Sequence, residues 1–237
     1  MEEERVHRKE SLVVAFRLFA QLDLIDGAAG HISARDPEHP DCYWMNPLNR
    51  AWSLMRVSDL ILIGPDGEAV HGGALNRAGV AIHGPLLRAH PEVVSAAHSH
   101  STYGKAWSAH RRLLEPLTQD ACAFYEQHVV VPFAGIVLDD SEGAHIAEVM
   151  GSRKAAVLEN HGLLTVGGSV EETAWWFIFM ERQCKVQLAA EQAGRPTPID
   201  AETARATGAV VGSPAVARLN FDLLRQALVA EQPDALS

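Results

Sequence analysis

The stretch "EVVSAAHSHST", residues 92–102, sets the fold reading, because β-branched and small residues run into two histidines one residue apart. Side chains at i and i+2 of a strand point to the same side, so a strand over 95–100 projects His98 and His100 together. Spacing alone is weak support for a metal site. With 12 histidines in 237 residues, chance yields about 0.6 His-x-His pairs. A third ligand must come from elsewhere, since open metal sites usually take three protein ligands. His161 is the candidate, in "KAAVLENHGLLTVGGS" (154–169). It stands between two apolar arms that read as strand, turn, strand, with Asn160 before it and Gly162 after it.

The chain around these histidines alternates strands and helices. Residues 3–25 read as an amphipathic helix with Leu12, Phe16 and Phe19 on its apolar stripe. "DGAAGHISARDPEHPDC" (26–42) reads as a loop, with His31 and Ser33 suited to anion contacts. "CYWMNP" (42–47) is a short strand, and "LILIGPDGEAV" (60–70) a hairpin turning on Pro65-Asp66-Gly67. Residues 76–90 predict a helix with Asn76 as N-cap and a kink at Gly84-Pro85, on which His83 packs. "HVVVPFAG" (128–135) is a strand and "GAHIAEVMG" (143–151) a short helix. Ser169 and Glu172 form a capping box for a helix that Gly194 and Pro196 close. Residues 194–212 read as a linker, followed by a last helix opened by Ser213-Pro214. The expected organisation is a domain over 1–193 and an extension over 194–237, packed on the domain or on a neighbouring subunit.

Charge narrows the function classes. A net charge of −10 offers no electrostatic footprint for nucleic acid and no basic stripe for anionic lipid. The densest apolar run, "AWWFIFM" (174–180), is too short to span a bilayer. The first residues are charged where a signal peptide needs an apolar core. Cys42, Cys122 and Cys184 lack metal-ligand spacing and read as buried thiols. A cytoplasmic protein without nucleic-acid or membrane partners is the expectation. There is no P-loop, dinucleotide fingerprint or G-x-S-x-G elbow.

Taken together, "AGHISARDP" (29–37), "NPLNRAW" (46–52), "SDLILIGPDGEAVHGG" (58–73), residues 76–109 and residues 159–190 resemble the class II aldolase/adducin family. The resemblance implies an α/β fold, a three-layer α/β/α domain with a mostly antiparallel central sheet. It implies one divalent metal ion (zinc, manganese, iron or cobalt) on His98, His100 and His161. It also implies a homotetramer with sites between subunits, in which Trp175, Trp176 and the C-terminal segment serve assembly.

Departures from the family pattern bear on the reaction. Sugar-phosphate aldolases of this family carry a Ser-Ser-Glu run whose glutamate is the acid/base. Its place falls here on Gly79, and the serines' places on Arg77 and Ala78. The phosphate loop reads Gly30-His31-Ile32-Ser33, and Asn46-Pro47 replaces a Thr-Gly pair. The expected substrate is therefore a small carboxylic acid, bound by Arg77, His31, Ser33 and Asn46. Asp120 and Tyr125, in "QDACAFYEQH" (119–128), lie where family aldolases place a catalytic tyrosine and are the candidate proton donors. The leading expectation is a metal-dependent carbon–carbon lyase of decarboxylase or aldolase type. A non-haem iron oxygenase on the same histidines and an adducin-like interaction module are the alternatives.

Overall fold

A computed structural model describes residues 1–135 and 139–236. Among the described residues, eight strands form one sheet in the order β4-β3-β2-β1-β5-β8-β7-β6. Their ranges are β1 Gly30–Arg35, β2 Tyr43–Met45, β3 Ile61–Ile63, β4 Ala69–His71, β5 Ser95–Ser99, β6 His128–Val131, β7 Ala155–Leu158 and β8 Gly162–Gly167. Neighbours run antiparallel except β6 and β7. Helices cover both faces, which gives three layers and the mostly antiparallel sheet expected.

That double cover explains the strand composition. β5 and β7 are buried at every residue, so they read as near-continuous small and apolar runs rather than as alternation. On one face lie α2 (Arg77–Ala89) and α4 (Asp140–Met150). They pack Ile82, Leu86 and Ile146 onto Met45, Ile63, Ala96, Leu158 and Leu164. On the other lie α1 (Glu2–Gln21), α3 (Thr102–Ser108), α5 (Val170–Gln192) and α7 (Pro214–Glu231), over Ile32, Trp44, Ala97, Val157 and Leu163. α2 runs unbroken through Pro85. Proline has no N–H for the Ala81 carbonyl one turn back, and Gly143 of α4 packs against that carbonyl, where a Cβ would lie 2.0 Å away.

Several local expectations change. "GHISAR" is not a loop but the central strand β1, and the polar residues that suggested a loop have partners on distant elements. Ser11–Phe19 of α1 are buried on every side, because α7 and the turn over 233–236 cover the face that a stripe would leave to water. Arg17 is enclosed there, donating from Nε to the Met55 carbonyl at 2.9 Å and from Nη2 to Asp234 at 3.0 Å. Residues 201–211 form a helix, α6 (Ala201–Val211), capped by Asp200. Trp175 and Trp176 are core residues of this chain, 6% and 2% exposed. Cys122 and Cys184 are buried and Cys42 is half-buried. Among the described residues no helix is long and apolar enough to cross a membrane.

Candidate metal centre

Three strand ends meet at one end of the sheet. β5 delivers His98 and runs out just before His100. The β7–β8 turn carries His161, and β8 starts beside the end of β5, with Ser99 opposite Leu163. Two backbone features fit that turn. Asn160 adopts a left-handed φ of 52°, a conformation Asn tolerates better than most residues. Gly162 passes so close to β5 that a Cβ would lie 2.7 Å from the Ser99 carbonyl oxygen, so only glycine lets the strands approach here.

The three imidazoles converge. Ring centroids are 5.2 Å apart for His98–His100, 4.6 Å for His98–His161 and 4.7 Å for His100–His161. One nitrogen from each lies within 4.8 Å of the others. Imidazole nitrogens on one tetrahedral ion are roughly 3.4 Å apart, so the three would draw closer to share one. His98 Nδ1 donates to the Leu163 carbonyl at 2.8 Å, which fixes its tautomer and leaves Nε2 bare and available to an ion. Burial lowers all three pKa values. His98 is held well below the ordinary histidine range by desolvation and then by its histidine neighbours. His161 is pushed down to about 4 by burial, then by His100. His100 is lowered by burial, then by the charge of Lys105. Neutral imidazole is the form that binds a metal, so this donor set fits a divalent ion.

A second histidine pair adjoins the first group. His31 on β1 stands directly opposite His98 on β5, with ring centroids 4.9 Å apart. His31 Nδ1 lies 2.8 Å from His83 Nε2, and His83 Nδ1 lies 2.6 Å from Ser33 Oγ. All three side chains are buried, and burial drives His83 down to about 3. Gly79, one turn before His83, leaves the room that His31 fills. A Cβ at Gly79 would stand 2.9 Å from His31 Cγ and 2.8 Å from Met45 Cε. Asn46 and Asn76 pin this strand, with Asn46 Oδ1 accepting from Ile32 N at 3.3 Å and both side-chain amides reaching the Gly30 carbonyl.

The structure does not gather every residue expected at the site. The Asn46 side chain is engaged by the β1 backbone at Gly30 and Ile32, on either side of His31. Arg77 is turned to solvent, 63% exposed, in a bidentate pair with Glu68 at 2.8 and 3.0 Å. Asp120 and Tyr125 precede β6. Because β6 runs parallel to β7, with His128 beside Ala155, they lie at the end of the sheet opposite His161. Four strand residues, roughly 10 Å, separate them from the histidines of their own chain. Tyr125 instead lies beside α6, with Arg205 5.8 Å from its ring.

Other groups were not anticipated. Lys105 on α3 pairs with Asp26 at 2.6 Å and is the cation whose charge His100 feels. Glu181 of α5 is buried, its pKa raised by desolvation, and it receives three bonds just after His100. Ser101 Oγ donates at 2.6 Å, Tyr103 N at 2.8 Å and Gly104 N at 2.6 Å. This carboxylate caps the N-terminus of α3, where the helix dipole favours negative charge, and so anchors the segment that carries His100. The spacing of Lys105 from His100 was visible in "HSHSTYGK" (98–105), but nothing local linked Glu181 to a segment some 80 residues earlier.

Residues 10–188 match the model of the Class II Aldolase and Adducin N-terminal domain. The chain belongs to the class II aldolase/adducin family. Among family members, "Decarboxylase NovR" of Streptomyces niveus is 44% identical over 236 residues, covering 98% of this chain and 87% of that protein. The "4-hydroxy-3-prenylphenylpyruvate oxygenase/4-hydroxy-3-prenylbenzoate synthase" of Streptomyces roseochromogenus subsp. oscitans is 43% identical, covering 98% and 85%. A solved structure titled L-fuculose 1-phosphate aldolase from Glaciozyma antarctica PI12 superposes with a TM-score of 0.92 at 39% identity, covering 99% and 93% of the two chains.

Proposed function

We propose that this family member is a metal-dependent carbon–carbon lyase of decarboxylase type, acting on a small oxygenated carboxylic acid. The observation that carries the reading is the cluster of three neutral imidazoles with a fourth, His31, in the space that Gly79 leaves. His98, His100 and His161 would hold the ion. When bound, a divalent ion supplies Lewis-acid polarisation of a carbonyl or hydroxyl oxygen adjoining the substrate carboxylate. Loss of CO2 needs no base to remove a carbon-bound proton, which suits a site with glycine at position 79. The chain's own part is orientation. His31 is placed to hydrogen-bond a substrate oxygen, and Lys105 beside His100 is better placed than Arg77 to attract a carboxylate. The relatives named a decarboxylase and a prenylphenylpyruvate oxygenase support a phenolic acid as the substrate class. We place the protein in the cytoplasm as a homotetramer, an arrangement in which a neighbouring subunit would have to supply Asp120 or Tyr125 for either to donate a proton.

The oxygenase-named relative, identical at 43% of aligned positions, favours a second reading, iron-dependent oxygenation on the same histidines. Imidazole ligands serve zinc, iron and cobalt and, more weakly, manganese, so the ligand type does not name the ion. Metal analysis followed by assay of 4-hydroxyphenyl carboxylic acids for CO2 release, with and without oxygen, separates the readings. Stoichiometric metal with release in both atmospheres is the expected result. Release that stops without oxygen establishes the oxygenase, and a chain binding no divalent ion points to an adducin-like scaffold.

A further inference from the structure

Five histidine rings crowd the end of the sheet, yet among the described residues only His98, His100 and His161 offer a shared set of ligand atoms. What sets His31 apart is the line Ser33 Oγ, His83 Nδ1, His83 Nε2, His31 Nδ1, with gaps of 2.6 and 2.8 Å. Each short gap holds one proton, and there are two ways to place them. In one, His31 Nδ1–H donates to His83 Nε2 and His83 Nδ1–H donates to Ser33. His31 Nε2 is then bare, and the Ser33 hydroxyl hydrogen must find another acceptor. In the other, the Ser33 hydroxyl donates to His83 Nδ1 and His83 Nε2–H donates to His31 Nδ1, so His31 carries its own proton on Nε2.

Ser33 decides between them. Its side chain is 0% exposed, and its hydroxyl has no partner among the described residues other than His83. The first arrangement would bury an unsatisfied O–H, and the second uses that hydrogen and leaves only spare acceptor capacity, which proteins tolerate better. We infer that Ser33 and His83 are positioning residues that hold His31 as an Nε2–H donor beside the metal centre and so keep it from becoming a fourth ligand. Nδ1 of His31 is occupied by His83, and Nε2 is occupied by its proton. The donor would meet an anionic oxygen of the bound acid, a carboxylate or a developing enolate or phenolate. Ser33, expected from sequence to touch substrate, acts two residues removed from it, through His83. The inference extends the proposed lyase reading and rests on it for the identity of the acceptor.

Solid-state 15N NMR of the full chain, selectively labelled on histidine, reads ring tautomers directly, and the signals lost in His31→Asn assign His31. The expected result is an Nε2-protonated His31 that stays free of the ion when one zinc per chain is loaded. Ser33→Ala should shift part of the His31 signal to the Nδ1-protonated form without loss of zinc. His83→Gln, whose amide donates from near the position of Nε2, should keep the original form, whereas His83→Phe should not. A bare or zinc-bound His31 Nε2 in the wild-type protein overturns the inference, as does an unchanged His31 in Ser33→Ala. Failure to bind zinc counts against the metal-dependent reading alone, because the tautomer is read equally well in the metal-free protein.

Discussion

His98, His100 and His161 turn one nitrogen each toward a common space, whereas His31 and His83, with ring centroids 4.5 Å apart, turn theirs toward each other. Both groups lie at the same end of the same sheet, the second fully buried and the first with His98 buried and His100 and His161 half-buried. They differ in what each ring's second nitrogen meets. His98 is held by a backbone carbonyl, which can only accept, so its other nitrogen stays free for an ion. His31 is held by another imidazole that Ser33 orients, so its remaining nitrogen carries a proton. A histidine's role here is set by the partner behind it rather than by its distance from the cluster.

The comparison breaks most severely on removing a ligand. His98→Ala should lower metal affinity by more than the roughly 10–100-fold that loss of a supporting partner costs, with turnover lost, as metal analysis after dialysis would read. Gly162→Ala should come next, because its Cβ pushes β8 off the Ser99 carbonyl. Overpacking of this kind costs about 1–3 kcal/mol, measurable by urea denaturation, and metal binding should weaken with it. Gly79→Ala separates the two groups more finely. Its clash with His31 is partly offset by the roughly 1 kcal/mol that alanine gains over glycine inside a helix. Stability should therefore fall by less than in Gly162→Ala and zinc should be retained, while turnover falls.

Acid should act on both groups. His83 is lowered to about 3, and His161 and His128 to about 4. Each takes up a proton in the unfolded chain near pH 6.5 but not in the fold until those lower values. Stability of the metal-free protein should thus be full above pH 6.5 and fall as pH drops from there toward 4. His128 isolates the effect away from the site, since its Nδ1–H donates to the Phe124 carbonyl and its Nε2 accepts from Leu114 N. His128→Asn should reduce the slope of stability against pH by about one proton in that window. Arg77→Ala should have the smallest effect. An ion pair this exposed is screened by water and adds little to stability, and neither zinc binding nor turnover should change.

How much of this could be read in advance varied by element. Strand alternation placed His98 and His100 together, and apolar arms with a following glycine marked His161, because those signals are local. The Ser169 cap and the Pro65-Asp66-Gly67 turn were legible for the same reason. The strand character of β1 is not legible locally, because His31 and Ser33 look like loop residues until His98 and His83, at least 50 positions away, are brought against them. α6 is hidden for a different reason, since it docks without an apolar stripe. Its Gly208 passes the Cys122 carbonyl at a distance where a Cβ would stand 2.4 Å away, and only Ala204 is buried. Arg77 and the pair Asp120 and Tyr125 were placed by position in a pattern, which fixes neither the direction of a side chain nor the end of a sheet.

The contact between Gly79 and His31 also constrains how such a chain can change over generations. A side chain at 79 and an imidazole at 31 compete for one volume. Enlarging residue 79 alone collides with the ring, and trimming residue 31 alone opens a cavity beside buried polar groups. The two positions are therefore energetically coupled. A lineage exchanging one chemistry for the other on this scaffold must pass through a damaged intermediate or alter both residues together.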